Sequence, residues 1–111
     1  MRLAVLAAGP TLEHLIAACH RQAVYVLSID TETMEYEAKS NDPKLLESPL
    51  GKILFAKLLA QEGITSLITG YCDDSLYHIL DAEGINVTTG QFGFVYRAIR
   101  RYHSSAPAAT A

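Results

Sequence analysis

Apolar residues in this chain come in short blocks parted by glycine, proline or small polar clusters, and the blocks switch between two periodicities. Leu3-Ala4-Val5-Leu6-Ala7 is a continuous apolar run closed by Gly9-Pro10, the pattern of a strand buried on both faces. From Thr11 to Ala18, with Thr11 as N-cap, Leu12, Leu15, Ile16 and Cys19 fall at helical spacing and predict a helix of about two turns. Val24 to Ile29 reads as a second strand. Asp30 to Thr33 supplies a turn, and Met34 to Lys39 alternates apolar and polar as a half-exposed strand does. So short a connection makes strands two and three an antiparallel hairpin.

Beyond a polar loop at Ser40 to Glu47, Ser48-Pro49 joins an N-cap residue to proline at the first helical position. The predicted helix carries Ile53, Leu54, Lys57, Leu58 and Gln61 on its apolar face, widened by Leu50, Phe55, Ala56 and Leu59, and stops at Gly63. Ser66 to Thr69 is a short strand ending at Gly70. Asp73 or Asp74 caps a helix through Leu76, Ile79 and Leu80, closed by Gly84, and Ile85 to Thr88 is a fifth strand followed by Gly90. Phe92, Val95, Tyr96, Ile99 and Tyr102 give a last amphipathic helix, with Arg97, Arg100 and Arg101 near its C-terminal end. The expected order is β-α-β-β-α-β-α-β-α. This is an α/β fold with a five-stranded mixed sheet: strands one, four and five parallel and central, the hairpin at one edge. Residues 1–103 form one domain in this reading, and the Ala/Ser/Pro-rich stretch 104–111 is a disordered tail.

With 111 residues, half of them apolar and 19% charged, the chain has globular composition. Its net charge of −3 argues against a nucleic-acid surface, which needs a basic stripe. No apolar run reaches the roughly 20 residues that span a bilayer. The apolar start reads as a first strand rather than a signal peptide, so the protein is expected in the cytoplasm, with no membrane partner. Its two cysteines, Cys19 and Cys72, make no CxxC pair, and a structural disulfide is not expected in a reducing compartment.

In open α/β sheets ligands bind beyond the carboxyl ends of the parallel strands. Three loops leave those ends, at Gly9, at Gly70-Tyr71-Cys72-Asp73 and at Gly90. Glycine there either lets backbone approach a ligand or simply turns the chain. The stretch Cys19-His20-Arg21-Gln22-Ala23 interrupts two apolar segments without glycine or proline. If strand two is antiparallel to strand one, Cys19 and His20 return to the rim of Cys72; if it is parallel, they lie at the opposite edge. The short first helix favours the antiparallel option, because parallel crossovers need a dozen or more residues. Cysteines in these positions serve equally as small buried hydrophobes.

In this arrangement the chain resembles the dinitrogenase iron–molybdenum cofactor biosynthesis family, which has a three-layer ribonuclease H-like fold. The resemblance runs from Arg2 to about Tyr102. It rests on the first strand and glycine loop at Arg2 to Gly9, and on Cys19-His20-Arg21-Gln22-Ala23 with Tyr25 at the entry to strand two. It rests also on Asp30-Thr31 in the hairpin, Gly51 heading the central helix, Gly63-Ile64 through Ile68-Thr69-Gly70, and Gly84-Ile85. Cys19 falls where some carriers of the family have histidine, and His20-Arg21 replaces a Phe-Gly pair. The resemblance implies an antiparallel strand two and a non-catalytic role in binding or carrying an iron–sulfur or molybdenum-type cluster, as in nitrogen fixation. It further implies a metallocofactor donor or acceptor protein as partner. The expected site is Gly9, Cys19, His20, Arg21, Gly70, Cys72 and Gly90, with Cys19, His20 and Cys72 as metal ligands. Thiolate and imidazole suit such clusters, and Arg21 offsets their negative charge.

Two other readings are open. A nuclease of this fold needs carboxylates on the central strands, and Leu3 to Ala7 and strand four have none, so nuclease activity is rejected. A thiol enzyme on Cys19 and His20 is disfavoured, because adjacent strand side chains point apart. The alternative to a carrier is a small interaction or sensor module of the same fold that has lost its metal site.

Overall fold

The computed structural model describes residues 1–101, apart from the side chain of His20. The tail expected at 104–111 lies outside the described residues. Strands β1 (Arg2–Ala7), β2 (Tyr25–Asp30), β3 (Tyr36–Ser40), β4 (Ile64–Ile68) and β5 (Asn86–Thr88) form one sheet in the order β3-β2-β1-β4-β5. β1, β4 and β5 are mutually parallel, and β2 runs antiparallel to both β1 and β3. The mixed five-stranded sheet with strand two reversed is therefore as the sequence predicts, except that β5, expected in the centre, forms the edge opposite the hairpin. Helices α1 (Pro49–Gln61), α2 (Asp74–Ala82) and α3 (95–101) cover it.

Three layers follow from the alternation of β1. Ala4 and Leu6 point into a core with Phe55, Ala56 and Leu59 of α1 and Leu76 and Leu80 of α2. Leu3, Val5 and Ala7 point the other way, into a core with Leu27, Ile29 and the α3 residues Val95, Ala98 and Ile99. Both faces of the central strand are dry, which is why its sequence is apolar without interruption. Among the described residues no helix is long and apolar enough to cross a membrane.

The helix starts and stops lie where the residues place them. Ser48 Oγ accepts from Gly51 N at 3.0 Å with Pro49 at the first helical position, and Asp73 Oδ1 accepts from Leu76 N at 2.7 Å. Gly63, at φ +80°, ends α1 in the left-handed region.

Three expectations are corrected. No helix forms over Thr11 to Ala18. The segment opens with a turn, His14 N donating to Thr11 O at 3.1 Å, and continues as a strap across the carboxyl ends of the parallel strands, with Ile16 bridging Ala7 and Leu15 bridging Phe94. A two-turn helix does not recover its nucleation cost alone, whereas the strap gains hydrogen bonds from Ala17 N to Leu6 O (2.8 Å) and from Ala8 N to Leu15 O (2.9 Å). Second, α1 is turned around its axis. Its inner face is Gly51, Lys52, Phe55, Ala56 and Leu59, leaving Leu50, Ile53, Leu54 and Leu58 exposed. The helix is apolar all round, so periodicity does not choose its buried side. Third, α3 begins at 95 rather than at Phe92, and Phe92 stands 62% exposed in the loop before it.

Gly70 is the position on which the strap depends. Its N–H donates to Ala17 O at 3.1 Å, and Tyr71 N donates to Ala18 O at 2.7 Å. A Cβ on Gly70 would stand 2.4 Å from Ala18 O and 2.9 Å from Ala17 O, both backbone atoms that cannot swing aside. Gly70→Ala is expected to destabilise the fold by about 1–3 kcal/mol. Thermal unfolding should show a drop of roughly 5–20 °C. An unchanged melting point would mean that the strap does not bear on β4.

Candidate functional site

Three backbone segments meet at the carboxyl rim: the strap, the β4–α2 loop at 69–73 and the β5–α3 loop at 89–94. The loops are tied to each other as well as to the strap. Gly90 N donates to Gly70 O at 2.5 Å, Gln91 N to Thr69 O at 3.2 Å and Ile16 N to Gly93 O at 2.8 Å. This lattice uses up groups that the glycine pattern suggests for a ligand. Gly70 admits the strap, and Gly9 is covered by the imidazole of His14, whose Cδ2 would lie 2.1 Å from a Cβ there. His14 is held in place by Thr11, with Oγ1 2.8 Å and N 3.2 Å from Nδ1. Gly90 alone of the three is open, at φ +72° with no atom near the Cβ position.

Cys19 closes the strap. It pairs in parallel with Tyr71, and its carbonyl accepts from Gln22 N at 3.0 Å, starting a 3-10 turn at His20–Gln22. Paired residues in a bridge project to the same side, and successive residues project to opposite sides. Cys19 therefore shares the outer side with Tyr71, which is 62% exposed, while Cys72 turns inward and is 8% exposed. Cys19 itself is half-buried, and both thiols are free. The two cysteines sit at the same rim, as the antiparallel strand two requires, but on opposite sides of the loop.

The environment of Cys72 is that of a core thiol. It belongs to the cluster under α1 and α2, and its Sγ donates to Asp73 O at 3.6 Å. Burial pushes its pKa up to about 11, with the Asp73 carboxylate adding to the rise and the Lys52 ammonium opposing it. In this setting it is a neutral thiol at neutral pH. Among the described residues no group of three His, Cys, Asp or Glu could hold a metal ion. The imidazole of His20 lies outside the described residues.

Arg21 is exposed and lines a polar cleft of about 300 Å³ with Leu46, Glu47, Lys52 and Asp73. Lys52, which the sequence reading leaves unassigned, is nearly buried and reaches Asp73 Oδ2 at 3.2 Å. Also not expected at the rim are the apolar side chains that surround it, Leu15, Phe92 and Phe94, at 50%, 62% and 40% exposure. A large apolar residue beside a loop glycine, as in Gln91-Phe92-Gly93-Phe94, is the signal available for them. Beneath the rim the Thr69 hydroxyl is wholly buried without a hydrogen-bond partner among the described residues.

No protein-family model matches the chain, and no curated protein does. Among solved structures, the apo form of the orange protein from Desulfovibrio gigas superposes with a TM-score of 0.80 at 30% identity, covering 94% of this chain and 88% of that one. The chain belongs to the orange-protein family. PH0822 (TM-score 0.78, 17% identity, 95% and 92% covered) has the same fold. So does a Thermotoga protein, TM1290, a NifB-like protein of the DUF35 family (0.73, 22%, 93% and 87%).

Two predictions follow from the thiols and the orphan hydroxyl. At pH 8 an alkylating reagent should modify one thiol at least tenfold faster than the other. Cys19→Ser should abolish the fast phase and Cys72→Ser the slow one; equal rates would contradict the inward placement of Cys72. Thr69→Val, which removes an unpaired buried hydroxyl at constant shape, should raise stability by about 1 kcal/mol in chemical denaturation. A loss of stability would show that the hydroxyl has a partner.

Proposed function

We propose that the chain is a non-catalytic binder or carrier of an iron–sulfur or molybdenum-type cluster, or of its precursor, working in metallocofactor assembly as in the dinitrogenase iron–molybdenum cofactor family. The observation that carries this reading is the half-exposed thiol of Cys19, set on the outer side of the rim by its bridge to Tyr71. The orange protein, a relative at 30% identity, is described in an apo form, which implies a form with something bound.

In this reading Cys19 supplies the thiolate that anchors the cargo, with His20 beside it in the same turn and Arg21 next in sequence to offset anionic charge. The apolar side chains of Tyr71, Leu15, Phe92 and Phe94 shield the cargo from water. Cys72 stays in the core. One or two protein ligands suit cargo that must be passed to a metallocofactor acceptor after delivery by a donor, because each additional thiolate slows release. Free thiols accord with a reducing, cytoplasmic setting.

One observation favours the second reading, a small interaction or sensor module without a cluster. The close approaches at Gly9 and Gly70 are filled by the chain itself, so the rim is stitched shut over part of its length.

The test is anaerobic reconstitution with ferrous iron and sulfide, with and without molybdate, read by visible absorption and metal content. Wild type and Cys72→Ser should take up cluster, and Cys19→Ser with His20→Ala should lose at least nine-tenths of the uptake. No uptake by wild type would sink the carrier reading in favour of the module. Loss with Cys72→Ser alone, in protein that melts normally, would move the anchor to Cys72.

A further inference from the structure

The polar cleft beside Arg21 is lined by four charged side chains, each from a different element. Arg21 stands in the 3-10 turn His20–Gln22, and Glu47 ends a second 3-10 turn, Pro43–Glu47. Lys52 lies in the first turn of α1, and Asp73 caps α2. Leu46, wholly buried, is the apolar part of the wall. The volume of about 300 Å³ is at the lower end of the range for small-molecule sites. A mostly polar cleft of this size calls for a small polar occupant.

The lining carries charges of both signs, and only one pair meets. Lys52 Nζ is 3.2 Å from Asp73 Oδ2, and Asp73 Oδ1 is taken by the cap bond from Leu76 N. Arg21 and Glu47 line the same cleft with opposite charges and do not pair. Among the described residues neither side chain has a hydrogen-bond or ion-pair partner. Lys52 adds to this unspent set. Its ammonium has three N–H donors, and among the described residues only Asp73 accepts from it, although the side chain is just 10% exposed. An ammonium so far withdrawn from water gains from each further acceptor brought to it.

The signs decide what fits. A lone anion here meets the carboxylates of Glu47 and Asp73, and a lone cation meets Arg21 and Lys52, so each faces like charge. A small molecule with both signs meets an opposite charge at either end. We propose that the cleft binds a free α-amino acid. Its carboxylate accepts from the Arg21 guanidinium and the Lys52 ammonium, and its ammonium donates to Glu47. Asp73 is committed to Lys52 and to the cap of α2, and serves by holding the lysine in place. Incorporation into a peptide removes one or both of the ligand's charges, so the cleft selects the free molecule. None of these contacts involves Cys19, and the proposal does not rest on the cluster reading.

Each of the standard L-amino acids, titrated in turn into the full chain without metal, tests this. The readouts are the rise in melting temperature, which follows ligand binding by mass action, and the NMR amide shifts of Arg21, Glu47 and Lys52. At least one amino acid should saturate these signals at one molecule per chain. Its N-acetyl derivative, which lacks the ammonium, and its amide, which lacks the carboxylate, should each bind at least tenfold more weakly. Arg21→Gln and Glu47→Gln should each weaken binding at least tenfold, yet melt as wild type does without ligand, because both side chains are exposed and unpaired. The proposal is overturned if no amino acid saturates, or if the N-acetyl derivative or the amide binds as well as its parent. It is equally overturned if either variant binds as wild type does.

Discussion

The carboxyl ends of the parallel strands are closed by backbone rather than by side chains, and the site follows from that closure. Every buried N–H and C=O must find a partner, and at the end of a sheet the strand ladders no longer supply one. The strap meets this need on three sides. It bonds Leu6 at the end of β1, Gly70 and Tyr71 beyond β4, and Gly93 and Val95 at the entry to α3. A helix over the same residues would have satisfied only itself. The strap reaches β4 only because Gly70 has no Cβ, so one missing carbon links the packing of the rim to the placement of Cys19.

That link fixes the fate of both cysteines. Once Cys19 is in register with Tyr71, alternation sends Tyr71 outward and Cys72 inward. The inward thiol meets apolar side chains of α1 and α2, which hold it protonated. Two residues that look equivalent as ligands are separated by a period-two rule acting on the loop, and only one is left for chemistry at the surface.

The sheet was legible because its signals are local or combinatorial. An unbroken apolar run, a four-residue turn between strands two and three, and serine, proline, aspartate and glycine at helix ends each carry a mechanism that does not depend on distant residues. The antiparallel direction of strand two was favoured by a first helix too short for a crossover and by the family resemblance; the direction holds although no helix forms there. What the sequence did not disclose depends on contacts far apart in the chain. Leu12, Leu15 and Ile16 mimic a helical stripe, yet Leu15 and Ile16 are spaced by the bridges they form with Phe94 and Ala7. The rotation of α1 was equally hidden. A helix with apolar residues on all sides offers no preferred face, and in the fold the buried side carries Lys52, which reaches the carboxylate that caps α2.

This Lys52–Asp73 pair is where fold and rim are coupled most closely. A partly buried lysine carries a desolvation cost that its partner must offset, and Asp73 offsets it while also capping α2. The pair ties α1 to the residue after Cys72, so the loop that bears Tyr71 is anchored from below by an ion pair and from above by the strap. Cys19, Arg21 and the exposed rings of Tyr71 and Phe92 lie outside both hydrophobic cores, whereas Phe94 stacks on Tyr96 and bridges Leu15. A binding site built on a loop is positioned only as well as what holds that loop, and here the hold comes from opposite sides by two independent interactions.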